Sequence, residues 1–383
     1  MKKKLSILIY SLAGGGAERV VSVLLDGLKD QYEITLVLMR DKIDYEIPKE
    51  IKIHFIENSN PDEKGIIKLL KLPYLGWKYK NFCRKNNIDI SLALTNRPVY
   101  IAMFSRILGL KIKSIISERS TPSKIYASHS LQSSINKFLI KWLYPKSDKI
   151  IANSQGNKQD LIQNFGINKD KIITIHNPFD IEKIEQQSQE CIDDVTFDRF
   201  TFVSVGRVDA GKNHELLIEA FKELNFENTQ LLILGEGTLK KELESLVKEY
   251  KLDKRVYFIG FRENPYRYMA KSDCFVFSSN YEGFPNVLVE AFTCDLAVIS
   301  TDCRSGPREI LAPGTDAGFQ LEEDIEESEY GVLTPVNDVQ SMKKAMKLMY
   351  EDEKVRQKYI DLNKKRISEF NKYNISDEYK KWL

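Results

Sequence analysis

No two cysteines in this 383-residue chain stand at Cys-x-x-Cys spacing, and the five present, Cys83, Cys191, Cys274, Cys294 and Cys303, are scattered. An odd, dispersed set in a chain of this length argues against a disulfide framework and for a reducing compartment. Cys274, beside the apolar run FVF, reads as buried packing. The four histidines, His54, His129, His176 and His214, show no metal-ligand spacing. No stretch approaches the roughly 20 apolar residues that a membrane-spanning helix needs. The opening MKKKLSILIYSL starts as a signal peptide does, but GGGAER follows where a small-residue cleavage site would stand. A buried strand running into a glycine turn explains it, and the expected location is the cytoplasm.

What is present is ordinary in amount and uneven in placement. Apolar residues make up 42% and charged residues 29%, values usual for soluble globular protein, and 383 residues suffice for two domains. The net charge of +2 hides an imbalance. Residues 1–180 carry 29 Lys+Arg against 17 Asp+Glu, a net of +12, which leaves 28 against 38, a net of −10, for the remainder. Such a basic half suits an anionic surface, and on charge alone nucleic acid and membrane are both candidates.

Short β-rich apolar runs alternate with longer amphipathic ones, the pattern of βαβ units and parallel sheets. The strand candidates are LSILIYS, YEITLVLM, IKIHFI, ISLALT, KSIISE, KIIANS and IITIHN, then FTFVSVG, QLLILG, RVYFIG, CFVFSS, LAVIST and GVLTP. Segments such as ERVVSVLLDGLKD and HELLIEAFKELN lie between them as helices. The fold class is therefore α/β, with two Rossmann-like doubly wound domains rather than one large sheet. The polar, aperiodic residues 180–199 mark the boundary, giving domains 1–180 and 181–365. A charged helical tract over about 366–383 is expected to pack back on the first domain.

Open sheets of this kind bind ligands outside the carboxyl ends of their strands, where loops meet helix N-termini. In the second half these places are rich in ligand-type residues. GRVDAGKN, after FVSV, offers Arg207 and Lys212, two cations near a helix start that suit a diphosphate. GEG, after LLIL, places Gly235 and Gly237 where the backbone can be approached closely. YEGFPNVLVEAF, after FVFSS, holds Glu282 in the loop and Glu290 on a helix expected to begin near Asn286. Gly283 and Pro285 turn the chain between them, so the acids can reach different parts of one extended ligand, with a phosphate against the helix start. A nucleotide-sugar has that layout: ribose, diphosphate, sugar. Taken singly, Glu290 reads as a dipole partner and Arg207 as an exposed loop charge; it is their combination after successive strands that carries weight.

With these motifs the chain resembles the large retaining glycosyltransferase family 4, of the two-domain GT-B fold. VGRVDAGKN, LGEG, EGFPNVLVE and TCDLAVISTDCRSGPREI carry the likeness, which runs from GGGAER to DEKVRQKY. The resemblance implies a hexosyltransferase whose two domains face a cleft, with the activated sugar held by the C-terminal one. Carried onto this chain, it implies catalytic roles for Arg207 and Lys212, which would stabilise the leaving diphosphate, and for Glu282, which would hold the donor sugar. Glu290 would hold the ribose. Donor contacts are also implied for Gly16, Gly206, Gly235, Gly237, Phe261, Arg262, Gly283, Phe284, Asn286, Val287 and Leu288. Departing charge is where such a reaction needs help, and cations with a helix dipole supply it without a metal. No Asp-x-Asp motif occurs, so no divalent ion and no cofactor beyond a UDP-sugar co-substrate are expected.

AGGGAERV, residues 13–20, fails as a dinucleotide fingerprint, because Gly14-x-Gly16-x-x-Arg19 lacks the third glycine. In the resembling family this loop faces the cleft, which makes Gly14, Gly15 and Arg19 acceptor-side candidates. Where many relatives carry an acceptor-side histidine, this chain has IISERSTPS, so Glu118 and Arg119 stand there. A polar or base role and a plain structural one are both open for Glu118.

The basic half adds a partner. Residues 64–85 carry Lys64, Lys68, Lys71, Lys78, Lys80, Arg84 and Lys85 and no acid, interleaved with Leu69, Leu70, Tyr74, Trp77, Tyr79 and Phe82. INKFLIKWLYPK repeats the theme with Lys141, Trp142 and Tyr144. Such segments suit the headgroup layer of an anionic membrane. A helix with a solvated charged face is the alternative for either alone; two of them within a half of +12 favour membrane contact, through Lys68, Lys71, Trp77, Lys78, Lys80, Arg84, Lys85, Lys141 and Trp142. Nucleic acid is disfavoured, since no recognition-helix motif, zinc site or aromatic sheet signature accompanies the charge. Within the family, YSLAGGGAERVVSVLL, LMRDKIDYEIP and INKFLIKWLYPKSD resemble the bacterial N-acetylgalactosamine transferases that extend polyprenyl-diphosphate-linked glycans for protein N-glycosylation. That implies UDP-N-acetylgalactosamine as donor, a polyprenyl-diphosphate-linked saccharide as acceptor, and a peripheral position on the inner face of the cytoplasmic membrane. The competing functions are a relative acting on lipopolysaccharide or capsule precursors, and a non-catalytic nucleotide-sugar sensor.

Overall fold

Seven apolar runs of the first half become β1 (Lys3–Ile9), β2 (Tyr32–Leu38), β3 (Lys52–Phe55), β4 (Ile90–Leu94), β5 (Lys113–Glu118), β6 (Lys149–Ala152) and β7 (Ile172–Thr174) in a computed structural model that describes residues 2–60 and 62–383. They pair in parallel in the order β3-β2-β1-β4-β5-β6-β7. β1, β4, β5 and β6 are buried along nearly their whole length, as strands of a parallel sheet covered by helices must be, while the edge strand β3 is mostly exposed. Alternate residues serve opposite sides: Ile7 and Ile9 join one core cluster while Leu8 joins the other.

The second half repeats the plan with β8 (Phe200–Val205), β9 (Thr229–Leu234), β10 (Val256–Gly260), β11 (Cys274–Phe277), β12 (Ala297–Thr301), β13 (Glu326–Glu327) and β14 (Val332–Thr334). Their order is β10-β9-β8-β11-β12-β14-β13, parallel throughout except for the antiparallel β13–β14 edge. Two glutamates carry no apolar signal, which is why β13 is invisible in the sequence.

The chain forms two units, one running to Phe179 and including Asn371–Leu383, the other Asp180–Phe370. The charged tract expected as one helix over about 366–383 is broken. A helix ends at Arg366, a 3-10 turn spans Ile367–Phe370, and Asn371 caps a new helix, Lys372–Lys380, through the Tyr373 amide. That last helix lies on the helix Gly16–Leu28: Lys372 Nζ is 2.9 Å from Asp26 Oδ2, and Ile375, Tyr379 and Leu383 enter the first unit's core.

Cys83, Cys274, Cys294 and Cys303 are buried, and burial pushes the Cys83 thiol up to about 12 and the others higher. Thiols held protonated in this way are packing residues, not nucleophiles. In each sheet the strand order reverses beside its first strand, between β1 and β4 and between β8 and β11, and the loops leaving those strands frame the place where such sheets bind ligands.

Candidate functional site

In the second unit, β8 and β11 are hydrogen-bonded neighbours, so the loops that follow them come side by side. Lys212 and Glu282 meet there: Lys212 Nζ donates to Glu282 Oε1 at 2.6 Å, with side chains 20% and 16% exposed. Partial removal from water strengthens that attraction relative to a surface pair. The Lys212 ammonium also lies 5.0 Å from the Phe277 ring centre. Arg207 is different. Its side chain is 82% exposed, and its Nε lies 3.5 Å from Asp209 Oδ2. Asp209, which the sequence did not single out, accepts from the Gly211 and Lys212 amides through Oδ1 at 3.0 and 3.2 Å and so shapes the turn.

The Glu282 loop is backed by residues that follow β12, with the Glu282 amide donating to the Arg304 carbonyl at 3.0 Å. The helix begins at Asn286 as the sequence suggests, and Pro285 in the cap position supplies no side chain to close its first turn. Glu290 is buried on that helix, at 1% exposure. Phe284 is buried edge-on against Phe370, which leaves its backbone rather than its ring for a ligand.

Three of the expected donor contacts, Gly235, Gly237 and Arg262, have neighbours within their own unit. Gly235 has φ +141, and a Cβ there would lie 1.9 Å from the Gly206 carbonyl oxygen; one at Gly237 would lie 2.1 Å from that of Val208. The close approach these glycines permit is between neighbouring loops. Arg262 is held by Asp194 at 2.8 Å and by the Tyr268 hydroxyl at 3.0 Å, a tether formed by a residue of the 180–199 stretch. Phe261 beside it is 64% exposed.

In the first unit, the Gly14 amide donates to Asp44 Oδ2 at 2.9 Å, the Tyr45 hydroxyl donates to the Gly15 carbonyl at 3.1 Å, and Arg19 lies 6.0 Å from the Tyr45 ring centre. Gly16 opens the helix Gly16–Leu28. Glu118 is drawn into the interior of its unit. It is 2% exposed, and it accepts from the Tyr144 hydroxyl at 2.7 Å, the Ser120 hydroxyl at 2.7 Å, and the Arg119 and Ser120 amides at 3.0 and 3.1 Å. Burial pushes its carboxyl above the usual range, against the pull of those bonds. Arg119 bonds Ser117, Asn177 and Tyr379 within the same unit.

The basic stretch forms two helices, Gly65–Leu70 and Leu72–Lys85. Tyr79, interleaved with the lysines in sequence, is fully buried and bonds Ser6 Oγ at 2.9 Å and Ser91 Oγ at 2.7 Å; Tyr144 is likewise core. Several cations are tied inward. Lys78, Lys80 and Arg84 donate to the carbonyls of Ile56, Leu108 and Gly109 at 2.6, 2.7 and 3.0 Å, and Lys71 pairs with Glu57 and Glu63. Lys85 and Lys141 are exposed. So are large apolar side chains: Leu70 (74%), Tyr74 and Trp77 here, and Leu131, Phe138 (62%) and Trp142 on the helix Leu131–Leu143. Among the described residues no helix is long and apolar enough to cross a membrane, and no three His, Cys, Asp or Glu side chains group as metal ligands would.

Comparison with known proteins covers both halves. Residues 195–366 match the model of the glycosyl transferases group 1, and residues 14–183 that of glycosyltransferase family 4. The chain is 45% identical over 381 residues, 100% of its length and 99% of the relative's, to the N-acetylgalactosamine-N,N'-diacetylbacillosaminyl-diphospho-undecaprenol 4-alpha-N-acetylgalactosaminyltransferase of Campylobacter jejuni. It is 26% identical over 388 residues, 99% of its length and 98% of the relative's, to that organism's GalNAc-alpha-(1->4)-GalNAc-alpha-(1->3)-diNAcBac-PP-undecaprenol alpha-1,4-N-acetyl-D-galactosaminyltransferase. Among solved structures, Anabaena HepE in complex with UDP and glucose superposes with a TM-score of 0.78 at 20% identity, covering 99% of this chain and 98% of that one. The fold is of the GT-B class, two Rossmann-like α/β domains.

Proposed function

We propose that this chain, which belongs to the family 4 glycosyltransferases, moves N-acetylgalactosamine from UDP-N-acetylgalactosamine onto a polyprenyl-diphosphate-linked oligosaccharide, with retention, in the assembly of a glycan for protein N-glycosylation. The observation that carries the reading is the full-length 45% identity to the Campylobacter jejuni transferase, whose name states that sugar and a diphospho-undecaprenol acceptor. The Lys212–Glu282 pair beside the β8–β11 reversal supplies the chemistry.

In this reading Lys212 and Arg207 neutralise the diphosphate as it leaves, the step in which charge develops. Glu282, held next to Lys212 at 2.6 Å, accepts hydrogen bonds from the sugar hydroxyls while the ammonium meets the phosphate. Amides of residues 284–288 complete the phosphate site, and Glu290 takes the ribose once the donor shifts what covers it. Arg19 and its glycine loop serve the acceptor side. No divalent ion takes part, so chelator leaves turnover intact.

The first unit meets the cytoplasmic face of an anionic membrane, where a polyprenyl acceptor resides. Exposed Leu70, Tyr74, Trp77, Phe138 and Trp142 with Lys85 and Lys141 support this, because aromatic and basic side chains suit the headgroup layer.

The test is a donor screen with purified protein, a panel of UDP-hexoses and UDP-hexosamines, and a defined undecaprenyl-diphosphate disaccharide, read by product mass. Addition of N-acetylhexosamine from UDP-N-acetylgalactosamine is expected. No product from any donor ends the reading.

A further inference from the structure

Three successive carbonyls of the loop after β8 are all taken by the loop after β11. The Ala210 carbonyl accepts from Asn280 Nδ2 at 3.0 Å, the Gly211 carbonyl from the Asn280 amide at 2.8 Å, and the Lys212 carbonyl from Ser278 Oγ at 2.8 Å. The clamp has a brace. Asn280 Oδ1 accepts from Asn213 Nδ2 at 3.1 Å, and the same Nδ2 reaches Asn337 Oδ1 at 2.7 Å, in the turn after β14. Asn213 and Asn337 both adopt left-handed backbone, at φ +48 and +62, a conformation asparagine tolerates better than most residues. Ser278 is buried beneath.

The residues joined this way flank the ion pair. Lys212 is itself one of the clamped residues, and Glu282 stands two positions beyond Asn280. A lysine ammonium sits on a flexible four-carbon stem, and fixing it costs rotamer entropy. Holding its Nζ at 2.6 Å from a carboxylate on another loop therefore requires that the two backbones keep a constant separation. The clamp supplies that constancy through hydrogen bonds that touch neither charged group.

We infer that Ser278 and Asn280 are positioning residues, which set Lys212 against Glu282 for sugar transfer. The inference rests on the transferase reading of this site. Loop stitching for stability alone is the competing account, and Asn280→Asp separates the two. The aspartate keeps the size and the oxygen that accepts from Asn213, but it cannot donate to the Ala210 carbonyl. Ser278→Ala removes the donor to the Lys212 carbonyl.

Both variants go through trace lysine acetylation read by mass spectrometry, with Glu282→Gln as the reference for an unpaired Lys212, alongside donor kinetics and melting temperature. Labelling of Lys212 is expected to rise toward the Glu282→Gln level while other lysines keep their rates. Turnover should fall by about 10- to 100-fold, the scale of an ångström's misplacement, with KM for UDP-N-acetylgalactosamine nearly unchanged. Unchanged labelling of Lys212 overturns the inference. So does a loss of turnover that runs in step with a lower melting temperature and with labelling of all lysines. Should wild-type protein transfer no sugar, the proposed function fails, and the labelling of Lys212 still decides the clamp.

Discussion

Lys212 and Glu282 touch at 2.6 Å although 70 positions separate them in the chain. Strand order brings them together: β8 and β11 are neighbours in the sheet, and each residue sits in the loop that leaves one of them. Removing one partner leaves an uncompensated charge in a partly dry site, and it removes a group assigned to the transition state. Lys212→Ala and Glu282→Ala are each expected to lower turnover by about 10²- to 10³-fold. Initial rates with UDP-N-acetylgalactosamine check this, and rates within a few-fold of wild type would retire the assignment. The double variant should lose much less than the product of the two single effects, because partners in contact act together.

Below that pair lies His214, buried at the start of the helix His214–Leu224, with burial pushing its pKa down to about 4 and the Lys212 charge adding to the effect. The sign follows from linkage. The unfolded chain binds a proton near pH 6.5 that the folded chain refuses until about pH 4, so this group's contribution to stability is intact above 6.5 and is lost as pH falls toward 4. Urea unfolding of wild type and His214→Gln at neutral pH and at about one unit below 6.5 should differ in slope by roughly 1 kcal/mol, with the variant the flatter. Equal pH dependence in the two proteins would show that His214 is not buried in its neutral form.

Gly235 offers a test of loop against loop. With φ +141 and a methyl position 1.9 Å from the Gly206 carbonyl, Gly235→Ala combines backbone strain with a steric clash. A loss of about 1–3 kcal/mol is expected in urea unfolding, with turnover falling because Gly206 and Arg207 are pushed out of place. Gly314, where an added methyl group meets nothing within 4 Å, is the control: its alanine variant should unfold like wild type.

These residues also mark how far the sequence could be read. Apolar runs disclose β8 and β11, which puts Lys212 and Glu282 each in a loop leaving a strand, but only the sheet order makes those strands neighbours. Side-chain bonds between distant positions leave no such trace. Asn280 and Ser278 look like ordinary loop polar residues until the carbonyls of 210–212 are seen to end on them. Gly235 and Gly237 read as room for a ligand because a glycine reveals only that something comes close, not what. Tyr79 and Tyr144 stand among basic neighbours in sequence, whereas the fold turns both into the core. The broken C-terminal tract was hidden for a related reason: charge runs through the break, and Asn371 alone marks the new start.

The proposed membrane face turns on the same distinction between sequence neighbours and surface neighbours. Of the cations in the basic stretch, Lys78, Lys80 and Arg84 already donate to carbonyls of their own unit, so their charges contribute to the local potential without being free to bind a headgroup phosphate directly. The exposed apolar groups have no such prior engagement in the core: Leu70 is 74% exposed, Phe138 62% and Trp77 51%. Removing three of them should therefore matter more than reversing two charges. Burial of partly exposed side chains at about 25 cal/mol per Å² gives roughly 2–4 kcal/mol for Leu70→Ser, Trp77→Ser and Phe138→Ser together, a loss of order 10² in vesicle affinity at any salt concentration. Lys85→Glu with Lys141→Glu should cost about 1 kcal/mol per charge at low salt and little at high salt, where screening shortens the reach of the surface potential. Sedimentation with vesicles containing anionic phospholipid separates the two. Binding that ignores the apolar triple variant, whatever the charge variants do, would remove this face from the membrane.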